Sequence, residues 1–448
     1  MADARGAVTG RPVAGAAAAP LNIVALAPLP FLQNDSPSFA GGGTIFYVEL
    51  LPRLARLGHR IRVIADAPPA VRGTQRSGLA SDSPNLFVEW FAYEHRSSLK
   101  PPTPAFRKRT SAQIQRVFER FVAEQRPDAV LIGREVVSLY MLGLCQQYGL
   151  PTVLISHGVA IAALLRGVYP SGLARELVEH LQQIDAVVAV ASHIEDMLRR
   201  LGVTRVQTIR NIADPTTFRP QPKDAALLQA LRIAPAQPVV GHVSVLRPAK
   251  RTADIVDSAA LVLRARPDVV YLVVGDGPCR GDVEERARQR GLLSRFRFVG
   301  EVAHEQVPRY VNLCDLVLLP SEREGLALAC LEIQACGRVI LASDIPGARE
   351  AIVDGETGVL FPTGDVSVLA AETVRLIEDR ALLEAIAGRA RAAAEQRMPS
   401  QWLEGYTDVL RRVASRESDP SDRRRKRRLA RSEKTTLAHV ASQSVRSG

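Results

Sequence analysis

Two glutamates eight residues apart, Glu324 and Glu332, stand where an apolar run turns into a helical pattern, in Pro320-Ser321-Glu322-Arg323-Glu324-Gly325-Leu326-Ala327-Leu328-Ala329-Cys330-Leu331-Glu332. With a helix beginning near Gly325, Glu332 lies about two turns along, and about 10 Å of helix axis separates the carboxylates. Between them, the unpaired N–H groups of the first turn form a positive end suited to a phosphate. That layout fits a diphosphate carrying a hydroxyl-rich group on either side. Carboxylates accept from hydroxyls, and the helix end holds the charge. The same spacing also describes a dipole-favoured acid at a helix start followed by a residue on a solvated face, and it does not choose between the two.

Other residues offer complementary chemistry. Arg247, Lys250 and Arg251, in Ser244-Val245-Leu246-Arg247-Pro248-Ala249-Lys250-Arg251, form a basic cluster at a predicted helix start, which reads equally as a charged surface. Gly41-Gly42-Gly43 follows the first apolar run and precedes a helix expected near Thr44. Its unhindered amides suit an anionic oxygen, although the spacing is neither a dinucleotide fingerprint nor a P-loop. His157-Gly158 ends another apolar run. Arg134-Glu135, after the run 128–133, is a weaker candidate of the same kind and reads better as an ordinary surface pair.

These groups need rigid elements. Short β-branched runs at 21–29, 60–66, 128–133, 152–157 and 186–192 alternate with helical spacing such as 44–57, and the rhythm recurs with 239–246, 269–274, 296–302, 316–320, 339–343 and 357–361, bridged by helices such as 253–264. The expected fold is α/β, two Rossmann-like doubly wound domains facing across a cleft, with the chemistry at the carboxyl ends of the strands. A chain of 448 residues suits two cores. Prolines at 215, 220, 222, 235 and 238 place the boundary near 212–222. The expected division is a disordered lead over 1–20, a first Rossmann-like domain over 21–211, a second over 212–400, a crossover helix over 401–415 and a basic disordered tail over 416–448.

The segment Leu319 through Gly358 resembles the donor motif of glycosyltransferase family 4, the retaining, glycogen-synthase-like group 1 enzymes of GT-B fold. Val274-Gly275-Asp276-Gly277-Pro278, Val299-Gly300, Gly58-His59-Arg60-Ile61, His157-Gly158 and Asp185-Ala186-Val187-Val188 carry the likeness across roughly 21–412. The resemblance implies that Glu332 binds ribose, Glu324 the donor sugar, the backbone at Gly325, Leu326 and Ala327 the diphosphate, and Lys250 the leaving phosphates. It places His157 near the reaction centre, and Gly42 and Gly43 at the donor. The usual arginine slot, five before the lysine, is Val245. Arg247 stands two further on, a variant similar to the N-acetylglucosaminyl malate synthase branch that hands Arg247 the phosphate role. Asn211 and Asp214 resemble the hinge motif, with Arg210 and Ile212 replacing its usual Pro and Gly.

The implied activity is retaining, metal-independent transfer of a hexosyl or N-acetylhexosaminyl group from a nucleotide-diphosphate sugar, UDP first and GDP next, to a glycan, lipid-linked or small-molecule acceptor. No cofactor is expected. Competing readings are a GT-B-fold sugar-nucleotide epimerase, which would need no acceptor, and a non-catalytic scaffold, which would leave the donor motif unexplained. A pyridoxal-dependent phosphorylase needs a Schiff-base lysine, yet Lys250 is the only lysine between residues 224 and 425.

Composition bounds the partners. Of the net charge of +11, the segment 416–448 contributes +6 through ten basic and four acidic side chains. Its run Arg423 to Arg428 reads as a solvated tail or as a peripheral contact with anionic membrane; nucleic acid is disfavoured. Five scattered cysteines fit a reducing cytoplasm, and Pro20, Pro28 and Pro30 interrupt the only signal-like stretch.

Overall fold

The computed structural model describes residues 19–29, 42–67, 75–76, 84–92 and 102–416. Gly41, the lead over 1–18 and the basic run after 416 lie outside the described residues.

An eight-stranded sheet is built from β1 (Asn22–Leu26), β2 (Arg60–Ala67), β3 (Gln75–Arg76), β4 (Leu86–Ala92), β5 (Ala129–Ile132), β6 (Thr152–Ser156), β7 (Ala186–Ala189) and β8 (Val206–Thr208), in the order β3-β4-β2-β1-β5-β6-β7-β8. Every pairing is parallel except β3 on β4. A six-stranded, all-parallel sheet follows, from β9 (Val239–Val243), β10 (Val270–Val274), β11 (Phe296–Gly300), β12 (Leu316–Leu319), β13 (Val339–Ser343) and β14 (Val359–Phe361), in the order β11-β10-β9-β12-β13-β14. This is the expected α/β architecture of two doubly wound, Rossmann-like halves. The winding reverses between β1 and β5 in the first sheet and between β9 and β12 in the second, and the gaps at such reversals are where doubly wound sheets bind ligands.

Burial on both faces explains why the strands read as continuous apolar runs rather than alternating ones. In β10, Val270, Leu272 and Val274 enter one core while Tyr271 and Val273 enter the other. The helix Pro399–Arg416 packs against β5, β6 and the helix Gly42–Arg56 of the first sheet, although it follows the second in sequence. Three strands have no counterpart among the expected runs: the two-residue β3, β4 and the three-residue β8. β4 carries a glutamate inside its apolar stretch, and Glu89 is buried there because Arg120 reaches it from the helix Pro104–Glu124.

Loops at the carboxyl ends of β9 and β10 interlock. Leu246 N donates to Asp276 O at 2.9 Å and Cys279 N to Leu246 O at 2.9 Å. Gly275 sits at φ +120°, and a methyl group there would fall 1.9 Å from Ser244 O. Gly275→Ala is therefore expected to cost more than about 2 kcal/mol. Gly143→Ala, inside the helix Ser138–Tyr148 with nothing within 4 Å of the new methyl, should be neutral or stabilising by up to about 1 kcal/mol. Chemical denaturation of the two variants checks the contrast, and equal midpoints would mean the β9 and β10 loops are not interlocked.

Candidate active site

At the second sheet's reversal, the loop after β9 carries Lys250 and the loop after β12 carries Glu324. Lys250 Nζ donates to Glu324 Oε1 at 2.5 Å, and Ser321 Oγ donates to the same oxygen at 2.7 Å. Backbone joins the loops too, Glu322 N donating to Ala249 O at 2.8 Å. Both side chains are partly exposed, so the pair faces the cleft. Arg247 opens the short 3-10 turn Pro248–Lys250, is exposed, and makes no ion pair among the described residues. Arg251 turns away to Asp254, its Nε donating to Oδ2 at 2.7 Å.

The helix after β12 begins at Leu328 rather than near Gly325 and runs to Ala335. Gly325, Leu326 and Ala327 form the approach to it, with Ala327 as an N-cap that has no capping side-chain bond. A close approach holds them out of the helix, since a methyl group on Gly347 would lie 2.5 Å from Glu324 O and 2.7 Å from Gly325 O. Glu332 is consequently little more than one turn into the helix, not two, and it is buried at 7% exposure rather than on a solvated face.

Burial of Glu332 is matched by a partner unforeseen from sequence. His304, in the short 3-10 turn His304–Gln306 after β11, lies with Nε2 at 2.7 Å from Glu332 Oε1. A carboxylate oxygen only accepts, so Nε2 carries the proton. Burial alone would lower the His304 pKa, but the hydrogen bond to Glu332 and its charge outweigh this and raise it.

Across the cleft, the helix Gly42–Arg56 starts two residues earlier than expected, so Gly42 and Gly43 form its first turn instead of preceding it. A methyl group on Gly42 would come 3.7 Å from Leu328 Cβ, and one on Gly43 3.9 Å from His157 Cγ. Two helix starts and His157 therefore converge. The approach is closest at Gly325, where a methyl group would lie 2.3 Å from His157 O. His157 Nε2 is buried without a hydrogen-bond partner among the described residues, and its ring meets those of Phe46 at 5.0 Å and Tyr47 at 5.7 Å. Burial, with a smaller push from the Arg134 charge, lowers its pKa to about 3, so the imidazole is neutral near pH 7. Glu135 is no surface residue. At 3% exposure, its Oε1 accepts from Ser156 Oγ at 2.6 Å and Gly158 N at 3.0 Å, fixing the turn that presents His157.

Polar contacts also bridge the halves. Glu350 accepts from Ser192 N at 3.0 Å, Ser192 Oγ at 2.6 Å and Arg210 Nε at 2.7 Å. Arg210, which replaces the expected hinge proline, thus supplies a cation to this bridge. Arg53 Nη2 donates to Asp214 Oδ2 at 2.7 Å, and Asn211 is buried with Oδ1 unpartnered among the described residues. A cavity of about 330 Å³ near Asp344, Arg349 and Asp354 takes in none of the predicted residues. Its polar groups are already satisfied, Asp344 by Arg349 and Asp354 by Leu360 N.

Comparisons with known proteins agree with this geometry. Family models match residues 40–217 (Glycosyltransferase Family 4) and residues 224–393 (Glycosyl transferases group 1). Together they take in every strand of both sheets except β1, and the chain belongs to the GT-B glycosyltransferases that these models describe. N-acetyl-alpha-D-glucosaminyl L-malate synthase of Bacillus anthracis is 27% identical over 386 residues, 84% of this chain and 96% of that protein. Alpha-D-kanosaminyltransferase of Streptomyces kanamyceticus is 33% identical over 154 residues, which are 34% of this chain; the chain spans only 40% of that relative's length. Anabaena Alr3699/HepE in complex with UDP-glucose shares the fold at 21% identity, with a TM-score of 0.68 over 87% of this chain and 99% of that one.

The raised His304 pKa sets a sign for stability. The charged pair contributes fully below the unfolded value of about 6.5, and the contribution is lost as pH rises through the higher folded value. His304→Leu should lower stability by about 1–3 kcal/mol at pH 6 by leaving Glu332 unpaired, with a smaller loss at pH 9. Thermal melts of both proteins across pH 5.5–9 read this, and a constant difference would remove His304 from the pair.

Proposed function

We propose that the protein is a retaining, metal-independent glycosyltransferase that takes a hexosyl or N-acetylhexosaminyl group from a nucleotide-diphosphate sugar. UDP is the first expectation and GDP the second. The observation that carries the reading is the pairing of two glutamates with two cationic or proton-bearing partners around one helix start: Lys250 with Glu324, and His304 with Glu332. Each partner occupies a single carboxylate oxygen and leaves the other for a hydroxyl.

In this reading residues 212–400 bind the donor. Glu332 accepts from the ribose, and Glu324 accepts from the donor sugar. The diphosphate lies at the Leu328 helix start beside Gly325, Leu326 and Ala327, with Gly42 and Gly43 facing it. Lys250 is neutralised by Glu324 in the empty site, so an arriving diphosphate exchanges one anion for another instead of meeting a bare cation. Arg247, exposed and unpaired, supplies the second positive charge. Fixed cations and helix amides then stabilise the charge that grows on the departing phosphate.

Bond accounting for front-face transfer is simple. The anomeric C–O bond to the diphosphate breaks, the leaving oxygen takes the electron pair and the acceptor's hydroxyl proton, and the acceptor oxygen bonds to the anomeric carbon on the same face. Neutral His157 is positioned to orient the sugar or acceptor as a hydrogen-bonding group, not as a cation. The acceptor, in the domain 21–211, is a glycan, a lipid-linked saccharide or a small metabolite. The likeness to the malate-glycosylating relative over 84% of this chain supports the last.

Ligand-observed NMR with UDP- and GDP-sugars in EDTA-containing buffer tests the proposal. Wild type should select one nucleotide, and Glu332→Ala should weaken it about 10–100-fold, the worth of a hydrogen bond to a charged group. Equal binding by the variant, or a strict need for a divalent ion, would overturn the donor site as drawn. Proton NMR of the product reads retention from the anomeric coupling.

A further inference from the structure

Beneath the Lys250 loop lies a histidine to which the reading above gives no role. His242, in β9, is 1% exposed. Its Nδ1 is 2.8 Å from Leu318 O, and a carbonyl only accepts, so Nδ1 bears the proton. Nε2 is then an acceptor, with Ser244 Oγ at 2.7 Å and Thr252 Oγ1 at 3.3 Å. The three contacts fall at informative places. Leu318 belongs to β12, the strand that leads into Glu324. Ser244 begins the segment that carries Arg247 and Lys250, and Thr252 ends it as the first residue of the helix Thr252–Ala265.

We propose that His242 is a positioning residue for leaving-group stabilisation, a single ring that ties both ends of the Lys250 segment to the strand supporting Glu324. The inference rests on the donor-site reading for its catalytic consequence. Its structural part stands without it.

Several observations make the neutral ring suited to this task. Burial, helped by the Lys250 charge and outweighing the Leu318 bond and the Glu324 charge, lowers its pKa to about 4, so the acceptor lone pair on Nε2 persists through neutral pH. Ser244 is held from the other side as well, its N donating to Val274 O at 3.1 Å and its carbonyl pressed against Gly275. The segment therefore has little freedom except through the His242 contacts. A shift of about 1 Å in a group that meets developing charge costs up to about a hundredfold in rate. Ground-state affinity, spread over ribose, base and phosphates, should respond much less.

Three variants test the role: His242→Asn, whose amide can still donate to Leu318 O while losing the Ser244 contact; His242→Phe, which loses both; and Ser244→Ala, which removes the hydroxyl and leaves the ring. Donor hydrolysis should fall about 10–100-fold in kcat for His242→Asn and Ser244→Ala, while the donor Kd changes less than about threefold. The double variant should be no worse than either single one. Independently of activity, hydrogen exchange should quicken at the amides of Leu246, Lys250 and Glu322 in the variants, and 15N NMR of wild type should show the Nδ1–H tautomer. An Nε2–H tautomer, unchanged exchange, or a kcat within twofold of wild type overturns the inference. Should His242→Phe not fold, Ser244→Ala decides alone. If wild type binds no nucleotide sugar, the donor-site reading fails, and exchange and tautomer still judge the positioning role.

Discussion

The site depends on where the winding of the second sheet reverses. Because β9 and β12 are neighbours while their following helices leave in opposite directions, the loops after them open side by side. Lys250 and Glu324, 74 residues apart in sequence, come within 2.5 Å there. Nothing local to either residue produces that meeting. Strand order does, and the parallel register between Leu316 and Val240 sets how far each loop projects. The first sheet repeats the arrangement at β1 and β5, which delivers the glycine-rich helix start and Glu135 to the facing side.

Close backbone approach is the second constraint, and it acts through missing side chains. Gly347 lets the Pro346–Arg349 turn press under Glu324, Gly325 lets the donor loop reach the His157 carbonyl, and Gly275 lets the β10 loop support Ser244. The first two contacts share Gly325 and run from one sheet's loops to the other's. At Gly347 and Gly325 the limiting factor is space, not φ, since neither adopts a positive φ; at Gly275 both apply.

Much of the fold was legible because parallel strands buried on both faces leave uninterrupted apolar runs, and eleven runs expected from sequence have strands within them or nearly coincident with them. The helix at 253–264 was legible from its apolar spacing. What escaped reading depends on partners distant in sequence. Glu89 breaks the β4 run and is tolerated only because Arg120 meets it. His304 has no local mark of importance until β11 places it over Glu332. The helix start after β12 was misplaced because Ala327 offers no capping side chain, and the contact that fixes the preceding turn comes from Gly347. Residue types at the site were readable; which oxygen or nitrogen of each is already engaged was not.

That last point bears on how the site tolerates its own charges. A buried carboxylate without a partner is costly enough that it would take up a proton instead. Glu332 is partnered by His304 and Glu324 by Lys250 and Ser321, and among the described residues each acid is engaged through one oxygen, Oε1. Each thereby keeps its second oxygen open to a hydroxyl donor. On the facing side the opposite device operates. Burial, with a smaller push from the Arg134 charge, keeps the His157 imidazole neutral near pH 7. The half with Glu324 and Glu332 thus presents paired, exchangeable ions, and the facing half presents a neutral imidazole beside its helix start. Under the donor-site reading, a diphosphate entering between them would meet Lys250 and Arg247 on one side, and this would orient it toward the Leu328 helix start before its base or sugar makes contact.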